Sequence, residues 1–77
     1  MFFNVKGCDS FKLACGYQAP TQMSIKTEDV ESFIKLDRGD EYKTGLSIRS
    51  GNGTSRSIYI TEDFDSFQQR WTNYLWF

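Results

Sequence analysis

Two runs of alternating residues, joined by a glycine-rich turn and followed almost without a linker by an amphipathic helical pattern, dominate the second half of this sequence. In Gly45-Leu46-Ser47-Ile48-Arg49-Ser50, Leu46 and Ile48 share one face; in Ser55-Arg56-Ser57-Ile58-Tyr59-Ile60, Ile58 and Ile60 do the same. Period-two alternation of this kind marks half-buried strands. Between them, Ser50-Gly51-Asn52-Gly53-Thr54 is rich in residues that accept positive φ, which makes the pair a β-hairpin. Phe64, Phe67, Trp71, Tyr74 and Leu75 then recur at helical spacing and fall within an arc of about 100°. Thr61 or Asp63 is placed to cap this helix, and Glu62, Asp63 and Asp65 put negative charge beside its positive end. The aromatic stripe should fold back onto the sheet face carrying Leu46, Ile48, Ile58 and Ile60.

The first half carries weaker signals. Phe11, Leu13 and Cys15 alternate within Ser10–Tyr17 and predict a strand, and Phe2, Phe3 and Val5 suggest another short one. Pro20 interrupts the chain, and Met23 and Ile25 suggest a short extended piece. Val30, Phe33 and Ile34 have helical spacing, while Ile34 and Leu36 fit a strand; a turn at 27–30 and a strand at 31–37 paired with residues 45–50 is the favoured reading. Asp37 to Lys43 is then a charged loop. The segment Thr27-Glu28-Asp29-Val30-Glu31-Ser32-Phe33 echoes Thr61-Glu62-Asp63-Phe64-Asp65-Ser66-Phe67, which is most simply good capping chemistry used twice. The expected fold is α+β: one domain over residues 1–77, with a small antiparallel sheet of three to five strands and one C-terminal amphipathic helix on one face.

At 77 residues the chain has room for one small core, and its thirteen aromatics (seven Phe, four Tyr, two Trp) supply the apolar area. Nine basic residues balance ten acidic ones, with a pI near 5.2, so a dedicated nucleic-acid coat protein is disfavoured. No segment approaches the ~20 apolar residues that span a bilayer. The opening Met1-Phe2-Phe3-Asn4-Val5-Lys6 has neither the basic start nor the long apolar stretch of a signal peptide, so a cytoplasmic location is expected. Cys8 and Cys15 could pair, but in such a setting free thiols acting as small buried hydrophobes are the expectation.

The sequence contains no histidine, which removes the commonest general acid or base and the usual nucleophilic pairs. Two cysteines alone cannot complete a structural zinc site. Adjacent acids such as Asp40-Glu41, or Glu62 with Asp65, read as solvated or capping groups, so no catalytic residue, metal or cofactor is expected. Gly51-Asn52-Gly53-Thr54 is too short for a phosphate-binding fingerprint. Its sequon matters only in a secretory compartment, and Arg38-Gly39-Asp40 reads as a loop turn.

From about residue 21 to 75, a short apolar segment at Val30-Glu31-Ser32-Phe33, strands around Ile48 and Ile58, and an acidic-capped helix from Glu62 follow one another. This order resembles that of the small flagellar FlbD-type proteins. The likeness is one of pattern, with few identities, and no residue role is carried over. In texture the chain also resembles short phage and prophage proteins, which implies a host-directed binder.

Two surfaces are left over by the expected packing. The first is the C-terminal Tyr74, Trp76 and Phe77, where the last two aromatics lie off the buried stripe and suit a protein partner or a homodimer contact. The second is the outer hairpin face, where Arg49, Arg56 and Tyr59 would form a phosphate- or base-binding patch if brought together. The sequence thus points to a small non-catalytic protein-interaction module, an inhibitor or adaptor. Nucleic-acid or nucleotide binding through the hairpin is the alternative.

Overall fold

The computed structural model describes residues 1–75. The hairpin forms as expected, with β4 (Thr44–Arg49) and β5 (Ser55–Ile60) paired antiparallel, Leu46 opposite Ile58 and Thr44 opposite Ile60. Its turn is closed by Ser50 N donating to Thr54 O at 2.8 Å and Gly53 N donating to Ser50 O at 3.1 Å. Gly53 sits at φ +84°, a conformation that costs a residue with a Cβ.

The first half adds β1 (Phe2–Asp9), β2 (Thr21–Lys26) and β3 (Val30–Lys35), the last entered through a single 3₁₀ turn at Thr27–Asp29. All neighbours are antiparallel, and the five strands lie in the order β2-β1-β5-β4-β3. Within β1, Phe2 to Gly7 pair with β2, while Gly7 to Asp9 pair with β5. Gly7 is the one residue in both ladders, and a Cβ there would stand 2.2 Å from the Tyr59 carbonyl oxygen. The absence of a side chain at Gly7 lets β1 approach β5 and join the two halves of the sheet.

The helix α2 (Phe64–Leu75) packs across one face of this sheet. Its first intrahelical bond runs from Phe67 N to Asp63 O at 2.9 Å, so the chain turns helical just after Asp63. Thr61 does not cap it, because its backbone N–H and hydroxyl both donate to the Lys6 carbonyl. Phe67 is fully buried, 5.0 Å from Phe33 and 6.0 Å from Phe3 in near-perpendicular edge contacts. Around it lie Phe3, Val5, Ile25, Leu46, Ile58 and Ile60. Covering these side chains is what drives the helix onto the sheet. One part of the stripe departs from expectation, since Leu75 is 63% exposed. The helix faces the sheet along the line of Phe67 and Tyr74, and Leu75 lies at the far margin of the arc.

The N-terminal segment departs further from expectation. Ser10–Ala14 is a short helix, α1, rather than part of a strand. Asp9 caps it, accepting from Phe11 N at 2.9 Å, and only Leu13 of its five residues is buried. Leu13 joins Cys8 and Tyr42 in a second, smaller core on the opposite sheet face, with Leu36 and Tyr59 against it. The cysteines are free thiols; Cys8 is buried as expected, whereas Cys15 is exposed. The two echoed segments part company, one entering β3 and the other α2. Their phenylalanines, Phe33 and Phe67, meet in the core.

Candidate interaction surfaces

The outer hairpin patch does not assemble. In β5, Arg56 has the same parity as Ile58 and Ile60, while Tyr59 points to the opposite face. Arg49 shares that opposite face with Tyr59, because Gly45 pairs with Tyr59 and Arg49 with Ser55. Each of the three already has a neighbour. The Arg49 Nε lies 3.8 Å from a Glu31 carboxylate oxygen, a long and exposed pair. The Tyr59 ring lies under the Arg38 guanidinium at 5.1 Å. Arg56 is held by Asp9, with Nε and Nη2 donating to Oδ2 at 3.2 and 2.7 Å. The sheet's alternation therefore separates Arg49 and Arg56, which were expected to share one face.

At the C-terminus, Tyr74 is half-buried and serves the fold. Its hydroxyl accepts from the Thr27 hydroxyl at 3.0 Å, and its ring meets Phe3 and Trp71 at 5.7 and 5.6 Å. Trp76 and Phe77 lie outside the described residues. Nearby, Arg70 lays its guanidinium 4.8 Å from the Phe3 ring centre and donates to Glu62 at 2.7 Å. That contact closes the helix against the first strand.

A different surface emerges where α1 meets β5. Asp9, Ser10, Phe11, Lys12, Ser55 and Arg56 wall an open groove. Phe11 is 78% exposed, a large apolar ring turned to solvent beside an ion pair. Local chemistry explains the arrangement. Asp9 ends β1 and caps α1, which turns Leu13 inward and leaves Phe11 on the outside. Burial pushes the Asp9 carboxyl upward, but the Phe11 N–H and the Arg56 guanidinium outweigh it and hold the group below its ordinary value of 3.8. The groove thus keeps a carboxylate and a guanidinium together, and Lys12 adds positive charge to its lining.

The sequence did hold a signal for this site. Asp9-Ser10 is N-capping chemistry directly before an apolar residue, and it competes with the alternation of Phe11, Leu13 and Cys15. Across the other half of the outer sheet face, Ser32, Ser47 and Ser57 stand in one row of paired residues, beside Ile34, Gly45 and Tyr59 in the next. Ile34 is 60% exposed there. No helix among the described residues is long and apolar enough to cross a membrane. No protein-family model matches the chain, and neither a curated protein nor a solved structure matches it.

Proposed function

We propose that this chain is a small non-catalytic protein-interaction module, an inhibitor or adaptor that acts in the cytoplasm by docking a polypeptide into the groove between α1 and β5. The observation that carries the reading is Phe11. A phenylalanine left 78% exposed forgoes most of the burial energy that its ring can supply, roughly 1.5–3 kcal/mol. A partner that covers it recovers that energy. Aromatic and arginine side chains are the types that dominate binding hot spots, and Phe11 and Arg56 stand in the same groove. The Asp9–Arg56 pair offers charged contacts in the same groove. An exposed free thiol at Cys15 suits a reducing compartment.

A random peptide library selected against the purified protein tests the proposal. Selected peptides should shift backbone NMR signals at Phe11, Lys12, Arg56 and Ser57. Phe11→Ala should weaken their binding by about tenfold or more, as expected for a hot-spot aromatic. Peptides that bind equally well to the Phe11→Ala protein, or that shift signals only around α2, would sink it.

A further inference from the structure

The described sheet has two edges, the outer sides of β2 and β3, and they are not alike. Along β2 the hydrogen-bond phase can be read directly. Thr27 N donates to Met1 O at 3.0 Å, and the register continues through Phe3–Ile25, Val5–Met23 and Gly7–Thr21. Bonded and non-bonded pairs alternate in an antiparallel ladder, so these are the pairs that exchange bonds with β1. The phase agrees with β1's other side, where Lys6 O accepts from Thr61 N at 2.9 Å. The backbone N–H and C=O groups of Gln22, Ser24 and Lys26 therefore point away from β1, to an edge that no other strand of the described residues covers.

The β2 edge also lacks the usual protection. Its ladder with β1 is regular over all six residues, with no bulge, and its one charge is Lys26 at the end. By contrast, β3 carries a register shift between Val30 and Ser32 and the charges of Glu31 and Lys35. Bulges and charges are how natural sheets blunt an edge.

We infer that β2 is a self-association edge, pairing antiparallel with β2 of a second copy about a two-fold axis at Ser24. Opposed residues must share a face and a hydrogen-bond phase, which restricts the register to steps of two residues. The register centred on Ser24 sets Gln22 against Lys26, Ser24 against Ser24, and Lys26 against Gln22 of the second copy. Each of these pairs exchanges two main-chain bonds, about six in all. The neighbouring register, centred on Met23, leaves only Gln22 and Ser24 to exchange bonds, about four. In the favoured register no cation meets a cation. On the helix-covered face, half-buried Met23 lies opposite Ile25 of the second copy, in the closer, non-bonded type of pair. The contact is the same patch on both copies, so the assembly closes as a dimer. It uses a different edge from the Phe11 groove and stands independently of it.

Analytical ultracentrifugation of the full chain, from micromolar to millimolar, tests the inference alongside cysteine cross-linking. The wild type should pass from the 9.0 kDa monomer to a species of twice that mass. Ser24→Pro removes an N–H that faces solvent in the monomer, and should weaken the dimer roughly thirtyfold by deleting two of its bonds. Ser24→Lys sets two cations face to face on the axis and should weaken it roughly fivefold, with the fold checked by circular dichroism. In a Cys15→Ser background, Ser24→Cys should form a disulfide-linked dimer on mild oxidation, whereas Gln22→Cys should not, because its partner is Lys26. Phe11→Ala should leave association unchanged. A chain that stays monomeric at millimolar concentration would overturn the inference. So would a dimer indifferent to both Ser24 substitutions, or one that cross-links through Gln22→Cys and not Ser24→Cys.

Discussion

Tyr42 shows how much a single residue can hide. It lies in Asp37–Lys43, which charge content alone marks as a solvated loop, yet its side chain is fully buried. Leu36 N donates to Lys43 O at 2.9 Å, so the loop is tied back at its base. Tyr42 N donates to the Asp40 carboxylate at 3.0 Å. Those bonds turn the ring under the loop and against Cys8 and Leu13, where its hydroxyl donates to the Gln18 carbonyl. No periodicity announces such a residue, because its burial comes from loop closure and not from an element's face. Tyr42→Ala should cost about 3–5 kcal/mol in urea unfolding, by lost burial and a cavity. Tyr42→Phe should cost about 1 kcal/mol, the loss of one hydrogen bond. Equal costs for the two would mean that the ring does not pack as described.

At the scale of elements, the C-terminal half was legible because its patterns are long. Six-residue alternating runs and a three-turn apolar stripe leave little room for another reading, and α2 lands on the face carrying Leu46, Ile58 and Ile60. Segment 10–17 was not legible, because three alternating residues fit a short helix as easily as a strand. A single side chain decides the matter, since Asp9 caps α1 and anchors Arg56. Asp9→Asn keeps a good capping group but loses the charge, whereas Asp9→Ala loses both. The alanine variant should therefore lose about 1 kcal/mol at neutral pH, with faster amide exchange at Phe11 to Ala14, and the asparagine variant clearly less. The pH dependence has a definite sign. The folded-state carboxyl titrates below its unfolded value of 3.8, so its contribution is complete above about pH 5 and fades as pH falls through 3.8 and below. Wild type should lose stability in that acid range relative to Asp9→Asn. Parallel stability curves for the two would remove Asp9 from this role.

For the molecule as a whole, the strand order decides how copies can meet, and strand order was not written in the local patterns. Hairpin β4–β5 follows from its turn, but β1 reaches β5 through the close approach at Gly7, a long-range fact that alternation cannot express. The resulting sheet ends in a regular edge at β2 and a bulged edge at β3. Pairing β2 with β2 closes after two copies, whereas pairing β2 with β3 would repeat without end, as heterologous contacts do. The β3 bulge stands against that second outcome. Val30 pairs with Ile48 and Ser32 with Ser47, so Glu31 is the extra residue, held by a bond from the Ser55 hydroxyl at 2.6 Å and by Arg49. Deleting Glu31 would bring Val30 and Ser32 into an unbroken ladder with β4 and remove a charge from the edge. The core residues of β3 would keep their partners, so the variant should still fold. It should, however, gain a second flat edge and form thioflavin-positive fibres at concentrations where the wild type stays soluble. A folded deletion variant as soluble and dye-negative as the wild type would show that the bulge guards nothing. Lys35, the one charge left in the shortened strand, would then be its remaining defence.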